Sequence, residues 1–488
     1  MVNPPPKIRR AIFLALALLA LAVRLPQLGE RPMHTDEAIN AYIVGQLLAG
    51  EKFNYDPQDR HGPALAAETL PIVRLLGIKK FSDLTEAQLR LAPVLTGAAT
   101  VFLLGAGVEM FGFIACLVAA ILFAVAPLPV YYNRYFIHET LFVAATFGLM
   151  LTGWRALQKN SVGFAALAGF SAALMLACKE TAVIHFFALA VAVVCGWWLQ
   201  PRDKLPALKV VATALLVFIF TTTLLFTWFG RNWSVFADLW HAIPRFVARA
   251  GGEGHEKPFS YYFHLLDPMF VLSFVAAAGV YGAVCDAVGS IRKTSLLLVI
   301  YGLMIFAIYS AIPYKTPWLA LNLWLPLSLI CGLGVQAFWE QVKSPAARWG
   351  MGIALAILLA KLATQTKVLA FDQPADEKNP LAYAHTGEDL LRLPARLEEL
   401  ARQEKLSDPR IAVVAADAWP LPWYLRKFSR VGFWQPEQEN GDADFFLTTT
   451  DVSGKLADRL KNFNPEYFGW RPNLLLILWT PLPVETKP

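Results

Sequence analysis

The chain has 488 residues, of which 56% are hydrophobic and only 16% are charged, and its mean hydropathy is +0.46. Because about a quarter of the residues of a soluble protein are usually charged, this composition excludes an ordinary soluble protein and indicates a polytopic membrane protein. The net charge of +6 is modest and the basic residues are spread between apolar segments, which argues against a nucleic-acid partner.

Apolar segments long enough to cross a bilayer recur along the first three quarters of the chain. The first segment passes Arg24 without an Ala-x-Ala cleavage signal, so we interpret it as an uncleaved helix and not as a signal peptide. The pattern predicts about eleven membrane-spanning helices. They lie near residues 9–28, 89–110, 112–130, 140–157, 163–178, 181–199, 207–228, 268–287, 294–312, 318–338 and 347–368.

The distribution of Lys and Arg predicts the orientation of these spans, since short cytoplasmic loops carry an excess of positive charge. With the N-terminus in the cytoplasm, every inside loop except the neutral one near Gly112 contains basic residues. These are Arg155, Lys159, Arg202, Lys204, Lys209, Arg292, Lys293, Lys343 and Arg348. The long first loop, residues 29–88, and the chain after residue 369 are then extracytoplasmic.

The tail, residues 370–488, is more charged and contains no predicted span. Leucines and charges alternate at helical spacing over residues 388–405, and strand-like runs occur at residues 411–416, 445–450 and 474–479. Short helices are predicted from Pro420 and between residues 454 and 460. The expected fold class is therefore mainly α, with a transmembrane module at residues 1–369 followed by a soluble α/β domain.

The five cysteines all fall in apolar segments, which makes a disulfide framework improbable. They are Cys116, Cys178, Cys195, Cys285 and Cys331, and no two have the CxxC spacing of a metal site.

Two adjacent carboxylates, Asp36 and Glu37, follow His34 directly after the first span and open an amphipathic segment that ends at Gly50. Thr35 or Asp36 is a suitable N-cap, and the positive end of the helix dipole would favour ionised carboxylates. Such a site could supply a base at the boundary of lipid and water. An acidic N-cap on a surface helix is the alternative.

Further charged clusters map to the same side of the membrane. His61 precedes a Gly-Pro turn, where it could orient an acid, bind a phosphate or be an ordinary loop residue. Arg134, His138 and Glu139 are predicted to share a helical face, with an interfacial snorkelling belt as the alternative.

Lys179 and Glu180 interrupt an apolar stretch at the predicted tip of a short helical hairpin. An ionisable pair in the membrane indicates a functional site, and a structural salt bridge is the alternative. Two more clusters combine lysines, prolines and interfacial aromatic residues. They contain His255 and Lys257, and Tyr314 and Lys315.

Two acids facing several cations suit a transfer reaction on a lipid-phosphate donor. A carboxylate would accept the proton of an acceptor hydroxyl group, while cations would stabilise the departing phosphate. The phosphate is a weak base, so this scheme needs no general acid.

These motifs resemble the GT-C glycosyltransferases, within them the protein O-mannosyltransferase and aminoarabinose transferase group (family 39). The segments His34–Ala38, Tyr55–Pro57, His61–Pro63 and Tyr314–Trp318 look more specifically like the prokaryotic flippase-activity-associated proteins. The resemblance covers roughly residues 1–340. It implies a membrane enzyme that uses a polyprenyl-phosphate sugar donor and a glycan, lipid or protein acceptor.

The resemblance also implies roles for individual residues. Asp36 would be the catalytic base with Glu37 beside it, and Lys179 and Arg134 would contact the donor phosphate. His61 stands where the aminoarabinose transferases place a lysine, and Glu139 where relatives often have Asp, which leaves the phosphate ligands and the donor open. Some relatives use a divalent cation and others do not, and no His-x-x-x-His spacing is present.

Two other functions remain as alternatives. The charged cluster could bind a pyrophosphate headgroup without chemistry, in a helper of lipid-linked glycan translocation. A secondary transporter is disfavoured, because the polar residues gather at one membrane face and not at the bilayer midplane.

Overall fold

The computed structural model describes residues 4–58, 60–199, 206–266, 293–438 and 442–482. In these ranges the membrane part is helical. Its helices are α1 Pro6–Arg24, α2 Thr35–Leu48, α3 Ala64–Leu75, α4 Glu86–Leu104, α5 Val108–Phe111, α6 Phe113–Val125, α7 Pro127–Tyr132, α8 Glu139–Lys159, α9 Val162–Cys178, α10 Ala182–Leu199, α11 Leu208–Phe226, α12 Val235–Ala250, α13 Tyr261–Leu266, α14 Lys293–Ala311, α15 Ala320–Gln341 and α16 Pro345–Lys367.

Six helical segments of the described residues are long and apolar enough to cross a membrane. They are Glu86–Phe111, Glu139–Lys159, Leu208–Phe226, Thr294–Ala311, Pro317–Gln341 and Pro345–Asp372, and shorter apolar helices occupy Phe113–Val125, Val162–Cys178 and Ala182–Gly196. Each coincides with a predicted span. The span expected at residues 268–287 lies outside the described residues, and the predicted number of about eleven stays a prediction.

Helix α15 is the central helix of the membrane part and is buried over nearly its whole length. It packs against α6, α14 and α8. The contact with α6 depends on Gly332, because a Cβ atom at that position would lie 2.2 Å from the carbonyl oxygen of Ala115. A side chain there would force the two helices apart.

The first outer loop, residues 29–88, contains α2 and α3. Just before α3, Gly62 lies against the end of α9, where a Cβ atom would come within 2.2 Å of the carbonyl oxygen of Ala177. This close approach brings His61 beside the α9–α10 turn, which contains Lys179 and Glu180. A loop residue thus joins a pair that lies more than a hundred residues further along the chain.

The corner between α7 and α8 differs from the sequence prediction. Helix α7 ends at Tyr132 and α8 begins at Glu139, so Arg134 and His138 lie in the non-helical connection. The expected single helical face for Arg134, His138 and Glu139 is therefore wrong. Pro127 and Pro129 let α7 begin, but after Tyr132 the chain turns through bends that bury this corner.

The C-terminal part forms a five-stranded sheet with helices, in agreement with the expected small α/β domain. Its helices are α17 Leu393–Gln403, α18 Leu421–Tyr424, α19 Thr450–Ser453 and α20 Ala457–Leu460, and its strands are β1 Ile411–Val414, β2 Val431–Trp434, β3 Phe445–Thr449, β4 Phe463–Arg471 and β5 Leu474–Pro481. The strand order is β2-β1-β3-β5-β4. Pairs β1–β2 and β1–β3 are parallel, whereas β3–β5 and β4–β5 are antiparallel.

Candidate active site

The turn that begins α2 is a capping box centred on His34. The Asp36 backbone N–H donates to Nδ1 of His34 at 3.1 Å, and the His34 N–H donates to Oε2 of Glu37 at 3.2 Å. His34, and not Thr35 or Asp36, is therefore the N-cap. Nε2 of His34 lies 3.1 Å from the carbonyl oxygen of Tyr383, which fits a ring that carries its proton on Nε2.

Glu37 lies inside the protein and is fully paired. Its two oxygens each accept a hydrogen bond of 2.8 Å from the Arg90 guanidinium, and Oε1 also accepts from the Phe136 N–H at 2.8 Å. Arg31 approaches the same carboxylate at 3.3 Å. Burial would raise the pKa of Glu37, but the two guanidinium groups hold it well below its usual range. This geometry fits a structural anchor for the turn and leaves no oxygen facing a substrate.

Asp36 instead faces a cavity of about 80 Å³ that is enclosed by residues from distant parts of the chain. Helices α2, α10, α12, α13 and α14 and the connecting turns contribute to its wall. The lining residues are Asp36, His61, Lys179, Glu180, Thr181, Ile184, Phe246, Arg249, Ala250, Tyr262, Tyr309, Ile312, Tyr314, Trp318 and Leu319. Several predicted site residues therefore share one space with Asp36.

Lys179 is anchored at this cavity by an ion pair with Glu139. Its Nζ lies 2.5 Å from Oε1 of Glu139, which is buried at the N-terminal end of α8. Burial alone would lower the pKa of Lys179, but the Glu139 carboxylate raises it above its ordinary value. Lys179 is therefore a fixed positive charge on the cavity wall, and Glu139 holds it in place from outside the cavity.

Glu180 pairs with two residues of the first outer loop. Its Oε1 accepts from the Tyr55 hydroxyl at 2.7 Å, and its Oε2 lies 3.0 Å from Nδ1 of His61. Burial raises the pKa of Glu180, but the contacts with His61 and Tyr55 outweigh burial and lower it to about 2. His138 supports His61 through an edge-to-face ring contact with centroids 5.4 Å apart. Glu180 and His61 therefore form a polar part of the cavity lining beside Lys179, and Tyr55 and His138 contact them from outside that lining.

Arg249 is a cavity residue that the sequence analysis did not identify. It lies in the last turn of α12, and its Nη2 donates to the carbonyl oxygen of Gln58 at 3.0 Å. The sequence feature that indicates a role for Arg249 is the apolar repeat of α12. Its exposed members include Phe236, Trp240 and Val247. Such a repeat is typical of a helix lying in the membrane interface, and its cationic end then points toward the site.

Three predicted residues are oriented away from the cavity. Arg134 donates to the carbonyl oxygens of Pro26 at 2.8 Å and Gln27 at 3.0 Å, and is buried. Lys315 is also buried, and its Nζ donates to the carbonyl oxygens of Lys257 and Ile312. His138 contacts the carbonyl oxygen of Gly62 at 3.2 Å. These three side chains hold the connecting segments together.

His255 and Lys257 lie at the rim of the site, where they meet the segment that leads to the C-terminal domain. Nδ1 of His255 lies 2.8 Å from the Tyr383 hydroxyl, and its ring centroid is 4.8 Å from that of Tyr314. Nζ of Lys257 lies 5.3 Å from the centroid of the Tyr383 ring. Tyr314 itself lines the cavity. The predicted cluster is thus assembled, but mainly through Tyr383.

The donor set fits a divalent cation poorly. Within the ranges that the structure describes, no group of three or more His, Cys, Asp or Glu side chains could hold a metal ion. The cavity contains the carboxylates of Asp36 and Glu180, but both oxygens of Glu180 already have protein partners. Lys179 and Arg249 supply positive charge to the same cavity. The chemical groups that this site offers are therefore the side chains themselves.

The C-terminal domain contacts the turn that carries Asp36. The Tyr424 hydroxyl accepts from the Met33 N–H at 2.9 Å, and the Thr386 hydroxyl donates to the Met33 carbonyl oxygen at 2.6 Å. Arg471, at the end of β4, donates to the Thr35 hydroxyl at 3.1 Å. Both sides of the turn are therefore held, one by the Glu37–Arg90 pair and the other by the soluble domain.

Glu68, in α3, gives a prediction about pH. Burial raises its pKa from 4.5 to about 7, and only the hydrogen bond from Thr96 opposes this. The folded protein then keeps a proton between pH 4.5 and 7 that the unfolded chain has lost, so the free energy of unfolding should fall by about 3 kcal/mol as pH rises through that range. Denaturant unfolding in detergent should show this slope in the wild type and a flatter one in Glu68→Gln. The exposed Glu51→Gln control should keep the slope, and an equal slope in Glu68→Gln would contradict the assignment.

A protein-family model matches part of the sequence, and solved structures with a similar fold cover nearly the whole chain. Residues 73–222 match the family model described as dolichyl-phosphate-mannose-protein mannosyltransferase. This segment includes Glu139, Lys179 and Glu180, while Asp36 and Arg249 lie outside it. No curated protein sequence matches the chain.

Solved structures with similar folds cover almost the whole chain. ArnT from Cupriavidus metallidurans bound to undecaprenyl phosphate has a TM-score of 0.63 and 16% identity, over 97% of this chain and 98% of that chain. The oligosaccharyltransferase AglB from Archaeoglobus fulgidus, with an inhibitory peptide and a dolichol-phosphate, has a TM-score of 0.60 and 12% identity, over 95% and 74%. The arabinofuranosyltransferase AftD from Mycobacteria has a TM-score of 0.52 and 15% identity, over 98% and 40%. The chain therefore has the fold of the GT-C glycosyltransferases, as its motifs predicted.

Proposed function

We propose that this chain is a membrane glycosyltransferase that moves a sugar from a polyprenyl-phosphate carrier to an acceptor hydroxyl group. The observation that carries the proposal is the cavity in which the Asp36 carboxylate faces Lys179 and Arg249. One base and two cations are the groups that displacement of a phosphate requires. The similarity to ArnT with undecaprenyl phosphate and to AglB with a dolichol-phosphate supports a donor of this class.

The reaction would be a single displacement with inversion at the anomeric carbon. The Asp36 carboxylate accepts the proton of the acceptor hydroxyl as its oxygen attacks the anomeric carbon. The bond between that carbon and the phosphate oxygen breaks, and the polyprenyl phosphate leaves with the electron pair. Lys179 and Arg249 stabilise the charge that develops on the phosphate, and Glu139 keeps Lys179 in position.

We place the cavity on the extracytoplasmic side, with the N-terminus in the cytoplasm. Helix α8 supports this placement, because Glu139 at its first turn contacts the cavity lysine whereas Arg155 and Lys159 lie at its other end. Basic residues favour the cytoplasmic side. The C-terminal domain contacts the cavity turn and is therefore extracytoplasmic as well. The acceptor, a glycan, lipid or protein, would reach Asp36 from that side.

A non-catalytic role in translocation of lipid-linked glycans is the second candidate. The buried charges would then bind a headgroup without transfer. Sugar transfer from polyprenyl-phosphate donors by the purified protein in lipid nanodiscs separates the two functions. Formation of glycosylated acceptor and free polyprenyl phosphate supports the enzyme, whereas donor binding without product supports the translocation helper.

Arg249 provides a sharp test of the phosphate-binding wall. Arg249→Gln should weaken donor binding by about ten- to a hundredfold, because a charged hydrogen bond to a phosphate is worth roughly 1.5–3 kcal/mol. The KM for the donor and the affinity for undecaprenyl phosphate should change together.

Arg245→Gln is the matched control for Arg249→Gln. Arg245 lies one turn earlier on α12, where it pairs with Glu253 outside the residues that line the cavity. The control should change the donor KM by less than about twofold, as expected for a surface ion pair. Equal effects of both variants would remove Arg249 from its role.

A further inference from the structure

A buried histidine, His185, links two tyrosines, one of which lines the cavity that contains Asp36. Nδ1 of His185 lies 2.7 Å from the Tyr301 hydroxyl, and Nε2 lies 2.7 Å from the Tyr309 hydroxyl. His185 is fully buried, and its ring packs against the Phe142 ring in a T-shaped arrangement with centroids 4.7 Å apart. Both ring nitrogens therefore have a hydrogen-bond partner.

This triad lies between two membrane helices, α10 and α14. Polar groups inside spans are costly unless they are paired or used, and a hydrogen bond between helices is one ordinary use. The two ends of the triad differ, however. Tyr301 borders a mainly apolar cavity of about 480 Å³ that Leu297 and Trp154 also line, whereas Tyr309 borders the polar cavity that contains Asp36 and Lys179.

The histidine controls which groups Tyr309 can offer to the cavity. A neutral imidazole has one N–H donor and one acceptor nitrogen, so it donates to one tyrosine and accepts from the other. When Nε2 carries the proton, it donates to the Tyr309 oxygen, and the Tyr309 O–H is free to donate into the cavity. Thr181 lines the same cavity as Tyr309.

We propose that His185 is a positioning residue that makes the Tyr309 hydroxyl a hydrogen-bond donor to the phosphate of the lipid-linked sugar. This inference rests on the proposed function and adds a neutral donor to the two cations at that phosphate. The Tyr301 O–H then donates to Nδ1, which is the acceptor nitrogen of this tautomer, and so keeps the ring orientation fixed. Tyr309 contacts the substrate, and His185 acts through it.

The first experiment compares Tyr309→Phe with Tyr301→Phe, which remove hydroxyl groups from opposite sides of the same ring. Affinity for undecaprenyl phosphate is measured on the purified full-length protein in lipid nanodiscs. Tyr309→Phe should weaken binding about tenfold, because it removes a donor to a charged acceptor. Tyr301→Phe should change binding by less than about threefold, because Nε2–H then remains the favoured donor to Tyr309. Equal affinity of Tyr309→Phe and the wild type overturns the proposal, as does an equal loss in both variants.

The second experiment tests the histidine by rescue. His185→Leu should raise the donor KM about as much as Tyr309→Phe does. His185→Gln keeps a donor and an acceptor, so its increase in donor KM should be no more than about half of the increase in His185→Leu. Loss of thermal stability in both variants with an unchanged donor KM would mean that the triad only joins α10 to α14, and it would overturn the proposal. This pair of variants also carries the test if Tyr309→Phe does not fold.

Failure of the proposed function gives a different result. In that case the wild type would bind undecaprenyl phosphate but transfer no sugar, and the binding comparison of the two tyrosine variants would still decide the role of Tyr309. A wild type that transfers sugar, together with a Tyr309→Phe variant that equals it in donor KM and in binding, would refute the triad alone.

Discussion

Replacement of Asp36 by asparagine is expected to lower the rate of sugar transfer by about 10²–10⁴-fold, the range that a general base contributes. Asparagine keeps the size of the side chain and the backbone N–H that donates to His34, so α2 should still begin at Thr35. Affinity for undecaprenyl phosphate should stay within about threefold, because Lys179 and Arg249 still face the phosphate. Transfer assays and binding measurements on the same preparation test both statements.

Asp83→Asn is a suitable control for this variant. Asp83 is exposed in the same outer loop and bonds only locally with Ser82, so its replacement should leave the transfer rate unchanged. Transfer at the wild-type rate in Asp36→Asn would exclude Asp36 as the base.

Replacement of Glu37 by glutamine is expected to destabilise the fold by about 3–5 kcal/mol, the usual cost of breaking a buried ion pair. The change leaves Arg90 buried beside Arg31 without the carboxylate that neutralises both. Denaturant unfolding in mixed micelles measures the loss. Molecules that remain folded should retain most of their transfer activity, because Glu37 has no contact with the cavity.

The surface pair of Glu109 with Arg155 provides the comparison. Glu109 is about half exposed at 53%, so Glu109→Gln should cost less than about 1 kcal/mol. A Glu37→Gln protein of wild-type stability that transfers no sugar would restore the catalytic role expected from the sequence. A large loss of stability with normal turnover per folded molecule supports the structural role.

Adjacent residues illustrate why the site could be predicted only in part. The motif His34–Glu37 indicated the correct turn, but consecutive residues of a helix point about 100° apart, and the sequence does not reveal which carboxylate faces the cavity. Asp36 does, while Glu37 faces Arg90. Arg90 lies in α4, 53 positions further along the chain than Glu37. The sequence alone does not indicate that an arginine within that predicted span pairs with Glu37.

The cavity wall depends on contacts that local patterns do not encode. Lys179, Glu180, His61 and Tyr314 were grouped because they map to one side of the membrane, and the structure brings them together. Arg249 was missed, because the apolar repeat of α12 indicates an interfacial helix but does not show that the end of this helix lies beside Asp36. His185 was missed as well, because an isolated histidine in an apolar span shows no periodic signal.

The soluble domain shows which strands have a sequence signature. The inner strands β1, β3 and β5 contain runs of apolar residues, and all three were predicted. The edge strands β2 and β4 were not. Strand β2 is only four residues long, and β4 contains Pro465 and Gly469, which are unusual within a strand and favour edge positions.

The contacts of Tyr424, Thr386 and Arg471 with the turn of Asp36 have a consequence for how this molecule can be divided. Three points of attachment from the last quarter of the polypeptide fix the backbone from which the proposed base projects. The membrane part supplies every residue that lines the cavity, but the appended sheet helps to fix the position of the proposed base, so the two parts act as one functional unit. A chimaera that replaces this C-terminal domain with that of a related enzyme would therefore have to preserve these three contacts. This requirement holds for any acceptor that the new domain recognises.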